Sequence, residues 1–133
     1  MVTGIPAEQI SGLWETIKPL IEKGLQYSDG TITAEQIGVE LLRGKKQLLL
    51  SLDPLCILIT ELLNYPNGKR VCDVALTAGK FPSDWRAVLE GIEDWARERG
   101  CSDIQMQSPR KAWSRRLPDW RPVTVVYRKD LRP

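Results

Sequence analysis

Glu61 and Asp73 are carboxylates set inside otherwise apolar runs, "LCILITELLNY" and "RVCDVALT". Apolar surroundings disfavour the charged form, so Glu61, in the more continuous run, is expected to titrate above the usual range and to exchange a proton near neutral pH. The competing reading is a strand carboxylate satisfied by Arg70 or a nearby lysine. Other chemistry is restricted, because the chain contains no histidine. That removes serine–histidine triads, histidine metal sites and imidazole acid–base catalysis together. Carboxylates, tyrosines, thiols, backbone groups or a borrowed cofactor remain. Cys56, Cys72 and Cys101 are an odd count without metal-ligand spacing. Two of them lie in apolar, strand-like runs and read as buried free thiols, which fits a reducing compartment.

A second stretch with chemical potential is "RVCDVALTAGKFPSDWRAVLEGIEDWARERG", residues 70–100. It reads as a strand, a tight turn at Gly79 and an amphipathic helix, the shape of many phosphate-binding sites. A helix N-terminus offers unpaired N–H donors and a partial positive charge. The turn "TAGKFPSDW" keeps one glycine, however. Pro82 lacks a donor, Phe81 adds bulk, and Asp84 sets a carboxylate in the first turn that Lys80 only partly offsets. A strand end and a capped helix that bind nothing would look the same.

The elements that must position these groups follow from apolar spacing. Ile10, Leu13, Trp14, Ile17, Leu20 and Ile21 make one face of a helix starting near Pro6–Ala7, with Pro19 expected to kink or split it and Gly24 to stop it. Thr33 and Gln36 form a capping box for a short second helix ending at Gly44. From Lys45 the runs "KQLLLSL", "LCILITELLNY" and "RVCDVALT" read as three antiparallel strands, and their uniform apolarity predicts a sheet covered on both faces. If "PNGK" is a four-residue loop, Tyr65 faces Arg70 and Glu61 faces Val74, so Glu61 and Asp73 point to opposite faces. Ser83 is the expected N-cap of the long helix and Gly100 its terminator. "DIQMQ" returns as a parallel strand, making residues 70–107 a right-handed βαβ crossover. "PRKAWSRRL" reads as a short basic helix and "VTVVYRKDL" as a final strand.

The whole chain, 1–133, reads as a single domain of α+β class. A net charge of +2 gives little support for nucleic-acid binding. The basic cluster Arg110, Lys111, Arg115, Arg116, Arg121 and Arg128 reads as a solvated rim. No signal-like N-terminus and no spanning apolar stretch are present, so a cytoplasmic protein is expected.

The element order, together with "GCSDIQMQSPRKAWSRRLPDW", resembles the GNAT acyltransferase superfamily over roughly residues 5–130. The family's first strand, near residues 1–5, is weak here and expected to be lost. "WARERGC" and "RKAWSRRLPDW" are similar to small GNAT-like proteins encoded among the virion-assembly genes of tailed phages. The resemblance implies a mixed sheet, antiparallel strands followed by the βαβ crossover, with helices on both faces. It implies acetyl-CoA, and no metal, bound where the fourth and fifth strands part. The pantetheine arm would lie along Ala75, Leu76, Thr77 and Ala78, and the pyrophosphate at Gly79 and Lys80. It also implies an amine substrate and a carboxylate base, for which Glu61 and Asp73 fit and Glu61 is preferred. Where the family usually carries a tyrosine that protonates the departing thiolate, this chain offers Ser108, Trp113 and Ser114, of which Ser114 is the substitute; Tyr127 lies in the expected last strand. Trp113 and Trp120 read as core or helix anchors, or, with the neighbouring arginines, as a protein-contact patch. Two functions stay open: an acetyl-CoA-dependent N-acyltransferase with a degraded cofactor loop, and a non-catalytic GNAT-fold interaction protein associated with a phage particle.

Overall fold

A computed structural model of the chain describes residues 2–28, 30–107, 117 and 119–133. Strand β1 (Val2–Ile5) leads through a 3-10 turn, Ala7–Gln9, into helices α1 (Ile10–Leu25) and α2 (Ala34–Leu42). Strands β2 (Lys46–Ser51), β3 (Cys56–Asn64) and β4 (Arg70–Gly79) follow, then helix α3 (Trp85–Glu98) and strand β5 (Asp103–Met106). The sheet order is β1-β2-β3-β4-β5. Its first three pairings are antiparallel, and β4 pairs with β5 in parallel across α3. The expected α+β mixed sheet is present, and so is β1, which was expected to be lost. Val2 holds it in place by packing against the core under α3.

Side chains alternate across the sheet and build two cores. On one face Ile17 and Ile21 of α1 and Ile37 and Leu41 of α2 meet Leu48, Ile57 and Ile59. On the other, Val88, Leu89, Ile92 and Trp95 of α3 meet Leu49, Leu58, Cys72 and Val74. Cover on both faces explains why Cys56 to Ile59 are fully buried in succession.

Local signals and packing compete at three places. Thr33 Oγ1 accepts from the Gln36 N–H at 3.2 Å while Gln36 Oε1 accepts from the Thr33 N–H at 2.8 Å, the expected capping box, worth about 1 kcal/mol. Helix α1 runs unbroken through Pro19. A proline there costs about 3 kcal/mol. Burying Ile17 and Ile21 on either side returns about 1.5–3 kcal/mol each. The N-cap of α3 is Asp84, not Ser83: its Oδ1 accepts from the Ala87 N–H at 3.3 Å.

The β3–β4 turn corrects the expected register. The Tyr65 N–H donates to the Lys69 carbonyl and the Gly68 N–H to the Tyr65 carbonyl, both at 2.9 Å. Gly68 takes φ +86°. The loop is therefore the three residues 66–68, with glycine at the left-handed position that such a hairpin needs. Asn64 then pairs with Arg70, and Glu61 pairs with Asp73 rather than Val74. A one-residue slip moves a side chain to the other face, so the two carboxylates share a face instead of opposing each other.

The second correction concerns the last segment. Residues 121–133 form neither helix nor strand, although a strand was expected over 123–131. β-propensity is realised only against a partner strand and a covered face, and Val123, Val125, Val126 and Tyr127 have neither cover. The basic helix expected over 109–117 lies outside the described residues apart from Leu117, as do Ser108, Trp113 and Ser114.

Candidate active site

Strands β4 and β5 are side by side only from Val71 to Val74, opposite Asp103 to Met106. At that point β4 carries a bulge. Thr60 pairs with Val74 and Ile59 with Leu76, which leaves Ala75 as the extra residue. A bulge bends its strand and increases the local twist, so β4 turns away from β5 where the parallel pairing stops. From Ala75 to Gly79 it continues along β3, with no strand on its other side among the described residues. The end of α1 packs closely against this stretch. A Cβ on Gly24 would stand 3.1 Å from both Ala78 Cβ and Leu76 Cδ1, so glycine permits the approach.

The parting opens a cavity of about 1900 Å³, walled by β4, β5, the end of α1, residues 119–126 and Arg128. Ala75, Leu76 and Thr77 line it, as expected for the strand edge. Ala78 does not; it is buried against α1. Gly79 and Lys80 lie off the cavity and serve the backbone. Gly79 takes φ +96°, and a Cβ there would fall 2.5 Å from the Leu55 carbonyl oxygen. The Lys80 N–H donates to that same carbonyl at 3.1 Å. Phe81 and Trp85, the two bulky side chains of the turn, meet edge to face at 4.9 Å between centroids and line a separate hollow of about 640 Å³ near Leu117 and Trp120. They leave the β4–β5 cleft open.

One polar ladder crosses the sheet on the α1–α2 face. Lys46 of β2 pairs with Glu61 of β3, Glu61 with Asp73 of β4, and Asp73 with Gln105 of β5. Lys46 Nζ contacts Glu61 Oε1 at 2.6 Å and Glu40 Oε2 of α2 at 2.7 Å. Gln105 Nε2 donates to Asp73 Oδ1 at 3.1 Å. Burial pushes the Asp73 carboxyl above its ordinary value; the bond from Gln105 pulls the other way, the Glu61 charge adds to the rise, and Lys46 counters it. For Lys46, burial favours the neutral amine, but the bonds to Glu40 and Glu61 outweigh it and raise the pKa. Asp73, Lys46 and Gln105 line the cavity, and Glu61 does not. The preferred carboxylate of the sequence is thus tied to Lys46, and its neighbour across the strand faces the open space.

The thiols are set for packing. Burial pushes Cys56 up to about 11 and Cys72 up to about 12, which leaves them protonated at neutral pH. Among the described residues no group of three His, Cys, Asp or Glu side chains is placed to hold a metal ion. No helix among them is long and apolar enough to cross a membrane. Of the tyrosines, Tyr127 is 90% exposed and lies off the cavity, whereas Tyr27 and Tyr65 line it. Tyr27 follows the end of α1 and Tyr65 opens the hairpin, positions that become neighbours of the cleft only through the fold.

No protein-family model matches the chain. No curated protein matches it in sequence. Solved structures do match in shape. A structure described as a probable acetyltransferase superposes with a TM-score of 0.68 at 14% identity, covering 100% of this chain and 98% of the other. A ribosomal-protein-alanine N-acetyltransferase from Brucella melitensis biovar Abortus 2308 gives 0.66 at 17% identity, with 99% and 98% covered. An aminoglycoside acetyltransferase from an uncultured soil metagenomic sample gives 0.70 at 11% identity, with 99% and 96% covered. Among the described residues the architecture is the GNAT fold that these acetyltransferase structures share.

Proposed function

We propose that this protein is a GNAT-fold acyltransferase that moves the acyl group of a CoA thioester, acetyl-CoA in the simplest case, to an amine. The observation that carries the reading is the coincidence of cleft and carboxylate. β4 parts from β5 at the Ala75 bulge, and Asp73, two residues earlier on the same strand, lines the opening with a raised pKa.

The strand edge suits the cofactor at one end and not at the other. On the side away from β3, Ala75, Leu76 and Thr77 have no strand partner among the described residues, which is the surface an extended pantetheine arm would pair with. The diphosphate end is poorer. The Lys80 N–H is already bonded to Leu55, Pro82 has none, and the Asp84 carboxylate occupies the N-terminus of α3. Affinity would rest on the edge, with Lys80 the cation of the turn itself.

The bound thioester supplies the activated acyl carbon. The chain's own task is to deliver a neutral amine to it. Gln105 holds Asp73 Oδ1 and orients the carboxylate, leaving Oδ2 to take the amine's proton. Glu61, its charge beside Asp73, makes that carboxylate more basic, so Glu61 keeps a part in the site while Asp73 takes the role of base. Ser114 is assigned as proton donor to the departing thiolate, and Tyr27, on the cavity wall, as a second donor. Calorimetric titration with acetyl-CoA tests the proposal. Saturable heat at submillimolar ligand, with a matching rise in thermal midpoint, supports it, because a ligand that binds only the native state must stabilise it. No heat at millimolar ligand retires it.

A second reading is favoured by the same loop: a carboxylate cap and a committed N–H are what a GNAT fold kept only as a scaffold would show. On that reading the chain is a non-catalytic interaction module, made in the cytoplasm and carried in a phage particle, with the Arg/Trp-rich region 110–121 as its contact surface. Co-purification with intact particles supports it; a chain found only free in the cytosol counts against it.

A further inference from the structure

Two carboxylates stand opposite each other in the middle of the sheet, and each is held by a side chain from the strand beyond. Glu61 of β3 and Asp73 of β4 are direct partners in the antiparallel register. Residues so paired keep their Cβ atoms about 4.5–5.5 Å apart, where like charges destabilise each other. Gln105 of β5 draws Asp73 one way, donating to its Oδ1 at 3.1 Å. Lys46 of β2 draws Glu61 the other way, donating to its Oε1 at 2.6 Å. The lysine has a second anchor in Glu40 of α2, whose Oε2 lies 2.7 Å from its Nζ. Its side chain is 11% exposed, fixed between helix and sheet by the two ion pairs. Lys46 and Asp73 both line the cavity, and Glu61 does not.

We propose that Lys46 is a positioning residue for the acyl transfer: it holds and neutralises Glu61, so that Asp73 accepts its proton as a single carboxylate instead of sharing one with the residue opposite. The inference deepens the acyltransferase reading and rests on Asp73 as its base. With no cation beside Glu61, the two carboxylates would form a pair in which one ionises at the expense of the other. A proton retained at neutral pH would then occupy the base. Burial first, and then the Glu61 charge, raise the Asp73 pKa; after the Gln105 bond, it is the Lys46 charge that holds the rise in check. Other charges around the base come in both signs. Asp103 of β5 is on the same face as Gln105 and pairs with Lys69 at 3.1 Å. Helix α3 brings Glu93 and Arg97 to the cavity wall, and the last segment brings Asp119, Arg121 and Arg128. The end of α1 and the hairpin add Tyr27 and Tyr65. Lys46 differs in standing on the sheet itself, one strand from Glu61 and two from Asp73.

Carbon-13 titration of the side-chain carboxyls in the full chain tests the clamp, with the Asp73 signal assigned by its loss in Asp73→Asn. In Lys46→Met the Asp73 midpoint should rise by about one pH unit or more, the lower end of what an opposite charge at contact distance is worth. Lys46→Arg keeps the charge and should return the midpoint to near the parent value. In a Glu61→Gln background the Lys46→Met rise should shrink to less than half, because the charge that Lys46 neutralises is gone. Should Lys46→Met fail to fold by circular dichroism, Lys46→Gln removes the same charge and gives the same readout. The pH profile of kcat/KM for acetyl transfer should follow. Its acid limb should move up by the same interval while the plateau above it is kept, which loss of a merely structural ion pair would not produce. An Asp73 midpoint that stays put without the lysine charge overturns the proposal, as does a rise of equal size with and without Glu61, or an acid limb left where the parent has it. The carboxyl titration decides the clamp by itself; a parent that turns over no acetyl-CoA counts against the acyltransferase reading alone.

Discussion

Asp73 is held where its charge is disfavoured, and it is kept there by two neighbours. Gln105 fixes one oxygen at 3.1 Å, and Glu61, its cross-strand partner, adds a negative charge. Asp73→Asn keeps the shape and the acceptor for Gln105 while removing the proton acceptor. The rate of thiol release from acetyl-CoA with an amine panel should fall about 10²–10⁴-fold, the usual worth of a positioned base. Stability should move the other way. The folded pKa lies above the unfolded one, so in the window above the ordinary carboxylate value the native state binds more protons and stability falls as pH rises through it. The variant should lose that slope and have a thermal midpoint at pH 7 no lower than the parent's. Urea unfolding at a series of pH values measures both. A variant that loses activity because it unfolds would show the opposite sign.

Helix α3 begins on a carboxylate that does two incompatible jobs. As a cap, Asp84 satisfies the Ala87 N–H and complements the helix dipole. If the cofactor binds as proposed, with its diphosphate at this turn, the same charge would repel it. Asp84→Ser retains a capping oxygen and removes the charge, so helix stability should change by only a few tenths of a kcal/mol. Acetyl-CoA binding should tighten by about two- to fivefold, the equivalent of the roughly 0.3–1 kcal/mol that a charge at a helix terminus is worth. Calorimetry on parent and variant gives the ratio. Adjacent Ser83 and Asp84 are equally good caps by residue type, and the backbone path out of the Gly79 turn decides between them. The hairpin shows the same limit. "PNGK" marks a turn plainly, but three or four loop residues are equally compatible with it, and that one residue determines whether Glu61 and Asp73 meet.

Seen as a whole, the molecule is one sheet clamped between two apolar layers, α1 with α2 on one side and α3 on the other. Neither layer is self-sufficient, because the buried side chains of each cluster with those of the shared strands. Ile21→Ala and Ile92→Ala, one in each layer and both fully buried, should each cost about 2–5 kcal/mol. They should lower the midpoint of one common transition instead of splitting it, and calorimetric and van't Hoff enthalpies should agree in both. Two resolved transitions would show that the α1–α2 layer can melt alone.

Periodicity along the chain was enough to place three helices and the four strands from β2 to β5, and to require a sheet covered on both sides. Each of these follows from neighbours within a few residues, where spacing of 2 or 3.6 and the identity of a cap carry the information. Only the tertiary structure decided that Asp73 and not Glu61 faces the cleft, that Ala75 is a bulge, that Tyr27 and Tyr65 border the opening, and that Val123–Tyr127 stays out of the sheet. Those outcomes depend on register and on partners distant in the chain. A one-residue shift across a hairpin reverses the face of a side chain, and a strand forms only where another strand lies waiting for its hydrogen bonds.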